Sequence, residues 1–281
     1  MNDYIRKPEW LKIKLGDDDS FIETRRTIQK YHLNTICGSG KCPNQAECWS
    51  RGTATFMILG EICTRSCKFC NTLTGKPHAV DSDEPRRVAE SIKQMGLKHA
   101  VLTSVDRDDL PDLGVAHWVA VIEAVKALNP NITMETLIPD FQGRPELIRQ
   151  FLVAKPNIVS HNIETVERLT PQVRSAAKYK TSLNVLKQLS ESGMRAKSGI
   201  MLGLGEEEDE LFQAMDDLIE HGCSILTMGQ YLQPSKKHLV VQKYVHPDDF
   251  KRFKTIALEK GFKHVESGPL VRSSYYSENQ I

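Results

Sequence analysis

Apolar residues along this chain recur in a fixed order: a short unbroken run, then a stretch with helical spacing, then another run. TATFMIL (53–59) is the first run and predicts a buried strand. HAVLT (99–103), ITMETL (132–137), NIVSHNI (157–163), RAKSGIML (195–202) and CSILTMGQY (223–231) bring the strands to six. Between them the apolar positions follow a 3.6-residue period. Val88, Ile92 and Met95 mark one helix, and Val115, Trp118, Val119, Ile122 and Val125 the next. Leu147, Ile148, Phe151 and Leu152 follow, then Leu183, Leu186 and Leu189, then Leu211, Phe212, Met215, Leu218 and Ile219. A last helix carries Phe250, Phe253 and Ala257. Pro85, Pro145 and Pro247 open helices, and Gly96, Gly193, Gly222 and Gly261 close them. A further helix precedes the first strand, where Ser20 and Glu23 read as a capping box and Phe21, Ile28 and Tyr31 share a face. Residues 1–19 lack such a period, and Trp10 and Leu11 are expected to pack onto the body.

Six strands alternating with six helices imply parallel strands joined by right-handed crossovers. An open doubly wound sheet and a barrel both satisfy this. No G-x-G-x-x-G follows the first strand, so the dinucleotide fingerprint is missing. Polar and glycine-rich residues recur at the C-terminal ends of the strands: 63–70, 106–109, Glu135, Asn162, 203–206 and 230–233. A barrel carries its active site on that rim. The expected architecture is therefore α/β, a partial (β/α)6 TIM-like barrel of parallel strands over 53–266. It has an N-terminal extension over 1–52 and a C-terminal tail over 267–281.

Composition narrows the function. Lys plus Arg number 37 and Asp plus Glu 36, a formal net charge of +1. That balance argues against a nucleic-acid partner. No run approaches the length of a membrane span, and MNDYIRKPEW lacks the apolar core of a signal peptide, so the expected location is the cytoplasm, with no membrane partner. Nothing demands more than a monomer. A chain of 281 residues buries enough surface to fold without disulfides or metal, so its seven cysteines need another explanation.

Six of them lie between Cys37 and Cys70. Cys37, Cys42 and Cys48 form C-x4-C-x5-C, and Cys63, Cys67 and Cys70 form C-x3-C-x2-C. Zinc favours four ligands and paired C-x2-C knuckles, a spacing only Cys67 and Cys70 have, with His32 or His78 as further donors. Disulfides suit small secreted domains. Thiolates at spacings like these also hold iron–sulfur clusters, and three cysteines on a four-iron cube leave one iron open for chemistry. Cys223, alone in an apolar run, reads as a core residue, and His99 and His117 as packing or surface residues.

CTRSCKFC, just after a first strand and with Phe69 before its last cysteine, resembles the loop of the radical S-adenosylmethionine enzymes. With CGSGKCPNQAECW added, the chain resembles the lipoyl synthase family. RKPEWLK, SVDRDDLPD, ETLIPDF, SHNIETVERL, MLGLGE, GQYLQPS and SGPLVRSSY extend the likeness from about Lys7 to Tyr275. The resemblance implies two [4Fe–4S] clusters and S-adenosylmethionine. Cys63, Cys67 and Cys70 would hold the cluster that binds and cleaves that cofactor. Cys37, Cys42 and Cys48 would hold an auxiliary cluster, consumed as the sulfur source, with Ser274 of Arg272-Ser273-Ser274-Tyr275 as fourth ligand and Ser273 the alternative. The implied reaction adds sulfur at C6 and C8 of an octanoyl group on a lysine of a lipoyl carrier, such as a 2-oxoacid dehydrogenase E2 subunit or the glycine cleavage H protein. A ferredoxin or flavodoxin would supply electrons, and a cluster-assembly or carrier protein would supply iron and sulfur. Asn162, Gly199, Gly203 and Glu206 are the expected cofactor contacts, against a plain reading of the glycines as tight turns. Asp106 to Asp109 are expected to be structural or to face the carrier, against a plain reading as a solvated turn. Leu113 stands where the family usually has glycine. A methylthiotransferase and a non-enzymatic iron–sulfur or zinc protein are the rival functions.

Overall fold

A computed structural model describes residues 6–13 and 18–280. Residues 1–5 and 14–17 of the expected N-terminal extension, and Ile281, lie outside them. Seven parallel strands lie side by side in chain order: β1 Thr55–Ile58, β2 His99–Ser104, β3 Thr133–Leu137, β4 Ile158–Ser160, β5 Arg195–Leu202, β6 Cys223–Gln230 and β7 His264–Gly268. A two-residue strand, Asn34–Thr35, adds antiparallel to β1. β1 and β7 are not paired, so the barrel is open on one side. The fold is the expected α/β partial barrel, with one strand more than six. HVESG in β7 buries only Val265, so it shows neither an apolar run nor a clean alternation.

The helices Glu84–Gln94, Val115–Leu128, Pro145–Leu152, Tyr179–Glu191, Glu208–Glu220 and Pro247–Lys260 form the outer layer. Ile92, Trp118, Ile122, Phe151, Leu186, Leu189, Met215, Leu218 and Phe250 turn inward onto the strands and are fully buried. A smaller apolar cluster of Ile28, Cys37, Trp49 and Ala54 lies beneath the N-terminal extension. Leu11 is buried as expected, whereas Trp10 stays 40% exposed, edge-on to His246.

The first helix, Asp19–Lys30, is capped by Asp18, whose carboxylate accepts from the Phe21 N–H at 2.8 Å. The expected Ser20–Glu23 box is therefore corrected. Ser20 lies inside the first turn, because Asp18 caps as well as serine and comes earlier. Leu113 holds φ +55°, a conformation glycine adopts without cost. It is kept there by burial of its side chain. No helix among the described residues is long and apolar enough to cross a membrane.

Candidate active site

Beyond β1 the chain turns through Leu59 and Gly60, at φ +67° and +96°. Arg107 donates to the Leu59 carbonyl at 3.3 Å, and Glu84 accepts from the Leu59 N–H at 2.8 Å. The short parallel ribbon Ile62–Cys63 and Leu73–Thr74 then brackets the loop carrying Cys67 and Cys70. Cys63 Sγ accepts from the N–H groups of Arg65 at 3.4 Å and Asp106 at 3.3 Å. Burial pushes the Cys63 thiol up to about 12, the Asp106 carboxylate adds to this, and the two N–H groups oppose it. Burial also raises the Cys67 thiol. The loop backbone is pinned at Lys68, whose N–H donates to the Val173 carbonyl at 2.9 Å and whose carbonyl accepts from Leu239 at 3.2 Å.

Arg65, inside the C-x3-C segment, organises this loop, a role its sequence context does not signal. Its guanidinium bonds Asp108 through two nitrogens at 2.7 and 2.8 Å, Asp140 at 2.8 Å and Asp106 at 3.3 Å. Asp106 and Asp108 follow β2 and Asp140 follows β3, so one buried cation ties the cysteine loop to both strand ends. Burial alone would raise the Asp140 carboxyl, and the Arg65 guanidinium overrides it, holding it below the usual carboxylate range. Arg107 turns inward onto Asp109 and the His78 carbonyl. Of the two expectations for 106–109, the structural one describes the geometry. Removing one partner from a buried ion-pair network typically costs about 3–5 kcal/mol. Arg65→Met is therefore expected to lower the unfolding free energy of the metal-free protein by about 3 kcal/mol or more. Denaturant titration checks this, and a loss under about 1 kcal/mol would mean that the clamp is dispensable.

Asn162 lies just beyond β4 and is buried. Its Nδ2 donates to Ser273 Oγ at 2.7 Å and Glu164 Oε1 at 3.2 Å, while its Oδ1 has no partner. Gly199, on β5, faces it: a Cβ there would stand 2.9 Å from both Asn162 Oδ1 and Thr227 Oγ1. Both residues line a cavity of about 560 Å³ inside the barrel. Gly203 and Glu206 stand outside that lining. Gly203 has φ +98°, and a side chain there would meet Gln230 Nε2 at 2.2 Å. Glu206 accepts from the N–H groups of Gly203 at 2.6 Å and Leu204 at 2.9 Å. These two shape the turn after β5.

The first cysteine triplet reaches the same cavity from the other side. Thr35 caps the helical turn Ile36–Ser39, which holds Cys37, and Cys48 sits on the helix Gln45–Ser50. Cys42 donates its N–H to the Cys37 carbonyl at 3.0 Å, closing the loop. Cys37 and Cys42 line the cavity together with Cys63, Cys67 and Cys70, and Cys48 lies outside the lining. Burial, then the neighbouring Cys37 and Cys42, push the Cys48 thiol up to about 12. All six are free thiols, as is Cys223, which is packed in β6.

The C-terminal tail is bound to this extension. Asn44 Nδ2 donates to the Leu270 carbonyl at 2.7 Å, Tyr275 Oη to Glu47 at 3.1 Å, and Arg51 pairs with Glu278. The tail's two serines diverge. Ser273 meets Asn162, whereas Ser274 Oγ accepts from Thr55 Oγ1 at 2.9 Å. The backbone and side chain of Thr55 also act on the Cys37 thiol, opposing the rise that burial gives it.

Among the described residues, no three His, Cys, Asp or Glu side chains gather closely enough to hold a single ion. A four-iron cube gives each thiolate its own iron and spreads its ligands more widely. Two sets of three free thiols, five of the six lining one cavity with an orphaned amide oxygen and a side-chain-free cradle at Gly199, fit two such clusters and a polar cofactor.

Residues 57–218 match the model of the radical SAM superfamily. Over its whole length the chain is 60% identical to the lipoyl synthase of Parabacteroides distasonis, and the alignment spans all of that protein. The chain belongs to the lipoyl synthase family. The Bacteroides fragilis lipoyl synthase is 61% identical over 99% of this chain and 96% of its own. The barrel is shared more widely: methylornithine synthase superimposes with a TM-score of 0.55 at 11% identity, covering 89% of this chain and 83% of that one. The radical SAM region contains the second cysteine triplet, Asn162 and Gly199. The first triplet and the serine tail lie outside it, in the segments that the lipoyl synthases share with this chain.

Proposed function

We propose that the chain inserts two sulfur atoms, at C6 and C8, into an octanoyl group carried on a lysine of a lipoyl carrier protein, using S-adenosylmethionine and its two cysteine triplets. The observation that carries this reading is the convergence on one cavity of Cys37 and Cys42 from the first triplet, all three cysteines of the second, and the tail serine Ser274. Cys63, Cys67 and Cys70 would hold one [4Fe–4S] cluster, and Cys37, Cys42, Cys48 and Ser274 the other. When bound, the first supplies the electron that cleaves S-adenosylmethionine to a hydrogen-abstracting radical, and the second supplies the sulfur.

The protein's own part is positioning. Arg65 and its aspartates hold the C-x3-C-x2-C loop rigid against β2 and β3. Asn162 Oδ1, lacking a protein donor, would accept a hydrogen bond from a ribose hydroxyl of the cofactor rather than meet its carboxylate. Met57, Val101, Leu137 and Ile200 line the cavity, giving an octanoyl chain an apolar path and keeping water from a reactive carbon. Gly199 leaves room that the cofactor occupies. Gly199→Ala is expected to weaken S-adenosylmethionine binding at least tenfold, about 1.4 kcal/mol, by calorimetry on the reconstituted protein. Unchanged affinity would remove Gly199 from the site.

The octanoylated substrate is an E2 lipoyl domain or the glycine cleavage H protein. A ferredoxin or flavodoxin supplies the electron, an iron–sulfur carrier restores the sulfur-donating cluster, and the setting is the cytoplasm. The deciding experiment is anaerobic: reconstituted protein, reductant, S-adenosylmethionine and an octanoylated lipoyl domain, with the carrier followed by intact mass. A gain of two sulfurs alongside 5′-deoxyadenosine is expected. Cleavage with an unchanged carrier would mean another substrate, and bound iron without cleavage would mark an iron–sulfur carrier.

A further inference from the structure

We propose that Lys197, held by Glu135, is a positioning residue that seats the C-terminal tail and so sets where Ser274 stands against the first cysteine triplet. The second half rests on the reading of Ser274 as a cluster ligand. Lys197 is on β5 and Glu135 on β3, with β4 between them. Their side chains meet inside the barrel, Nζ to Oε2 at 2.9 Å, and both are 0% exposed. Ser160, on the intervening strand, donates to the other carboxylate oxygen at 2.7 Å.

Such a pair is an unusual way to fill a core. Desolvating two charges offsets most of their attraction, and apolar residues of equal volume often serve the fold as well. The pair therefore calls for a use other than stability. An ammonium has three protons to donate. Lys197 gives one to Glu135 and another to the backbone carbonyl of Ser273, at 2.5 Å.

That carbonyl belongs to the peptide bond joining the two tail serines. The peptide group is planar, so fixing its oxygen fixes the plane from which Ser274 departs. Asn162 holds the Ser273 hydroxyl on one side of it and Thr55 holds the Ser274 hydroxyl on the other. Lys197 supplies the charged contact between these two neutral ones. Charge-assisted hydrogen bonds are the stronger kind.

The test uses three variants of the full chain. Lys197→Met with Glu135→Met replaces the pair by apolar side chains of similar volume. Lys197→Gln keeps an N–H donor without the charge. Glu135→Gln keeps Lys197 and its bond to the carbonyl. Hydrogen exchange by mass spectrometry reads the tail amides in the metal-free protein. Bound iron and the electron paramagnetic resonance of the reduced cluster are read in a background where Cys63, Cys67 and Cys70 are alanine, leaving only the first triplet.

The double variant is expected to exchange its 269–280 amides at least tenfold faster with β2 to β6 unchanged, to bind less iron, and to show an altered spectrum. Lys197→Gln falls between, and Glu135→Gln keeps the wild-type tail. A folded double variant with wild-type tail exchange would overturn the proposal. Should the double variant not fold, equal tail exchange in Lys197→Gln and Glu135→Gln would overturn it instead. A released tail with unchanged iron and spectrum would remove Ser274 from the cluster and overturn the second half, while the seating of the tail would stand.

Discussion

Cys63→Ala is expected to abolish formation of 5′-deoxyadenosine while leaving the barrel folded. The sulfur sits at the end of the ribbon after β1 and receives two backbone N–H groups, from Arg65 and Asp106. Removing it deletes one of three thiolates from the loop and frees those two donors into the cavity. The loop itself stays in place. Arg65 still grips Asp106, Asp108 and Asp140, and Lys68 still bonds Val173 and Leu239. The loss is therefore chemical, since a cluster short of a thiolate cannot be kept. Chromatography of the small molecules under reducing, anaerobic conditions provides the measurement, with bound iron per chain expected to fall by about half. The first triplet is untouched and keeps its share. Product at a tenth of the parent rate or more, with the fold intact, would rule out this loop as the site of cleavage.

Ser274→Ala separates the two halves of the reaction. It is expected to leave S-adenosylmethionine cleavage near the parent rate while the carrier gains no sulfur. Ser274 is held by Thr55, which also acts on the Cys37 thiol, so its loss falls on the first triplet. Ser273 is held by Asn162, on the wall that also carries Gly199. Ser273→Ala is therefore expected to act on cofactor binding and only weakly on the sulfur count. Intact mass of the carrier beside the yield of 5′-deoxyadenosine reads both effects at once. If Ser273→Ala were instead the variant that cleaves without inserting sulfur, the ligand would be Ser273.

The local signals in this chain were enough for most of its framework. Apolar runs and 3.6-residue periods are short-range patterns, and six strands and six outer helices follow from them. β7 escaped because an edge strand burying one residue leaves no run to read. The cysteine triplets were legible for the same reason as the helices: each lies within one short stretch, and the family likeness decided between the zinc and iron–sulfur readings that spacing left open. Which glycines matter was legible only in part. Gly199 and Gly203 stand in one motif, yet only the first lines the cavity, because the strand ends at Leu202 and the turn after it leads the second away.

What the tertiary structure decided is which distant residues these local elements bring together. Arg65 reads as a loop charge between cysteines, and its partners Asp108 and Asp140 come 43 and 75 positions later. Lys197 reads as an ordinary polar residue in a strand, and only the closing of the barrel turns it onto Glu135, 62 positions away. Ser273 and Ser274 are indistinguishable as neighbours in a tail. They part because Asn162 lies 111 positions from one and Thr55 219 from the other. Sequence by itself determined the elements and the metal-binding chemistry, since both are written in neighbouring residues. The charges that hold the site together needed the fold, because burial and partners are properties of the packed chain.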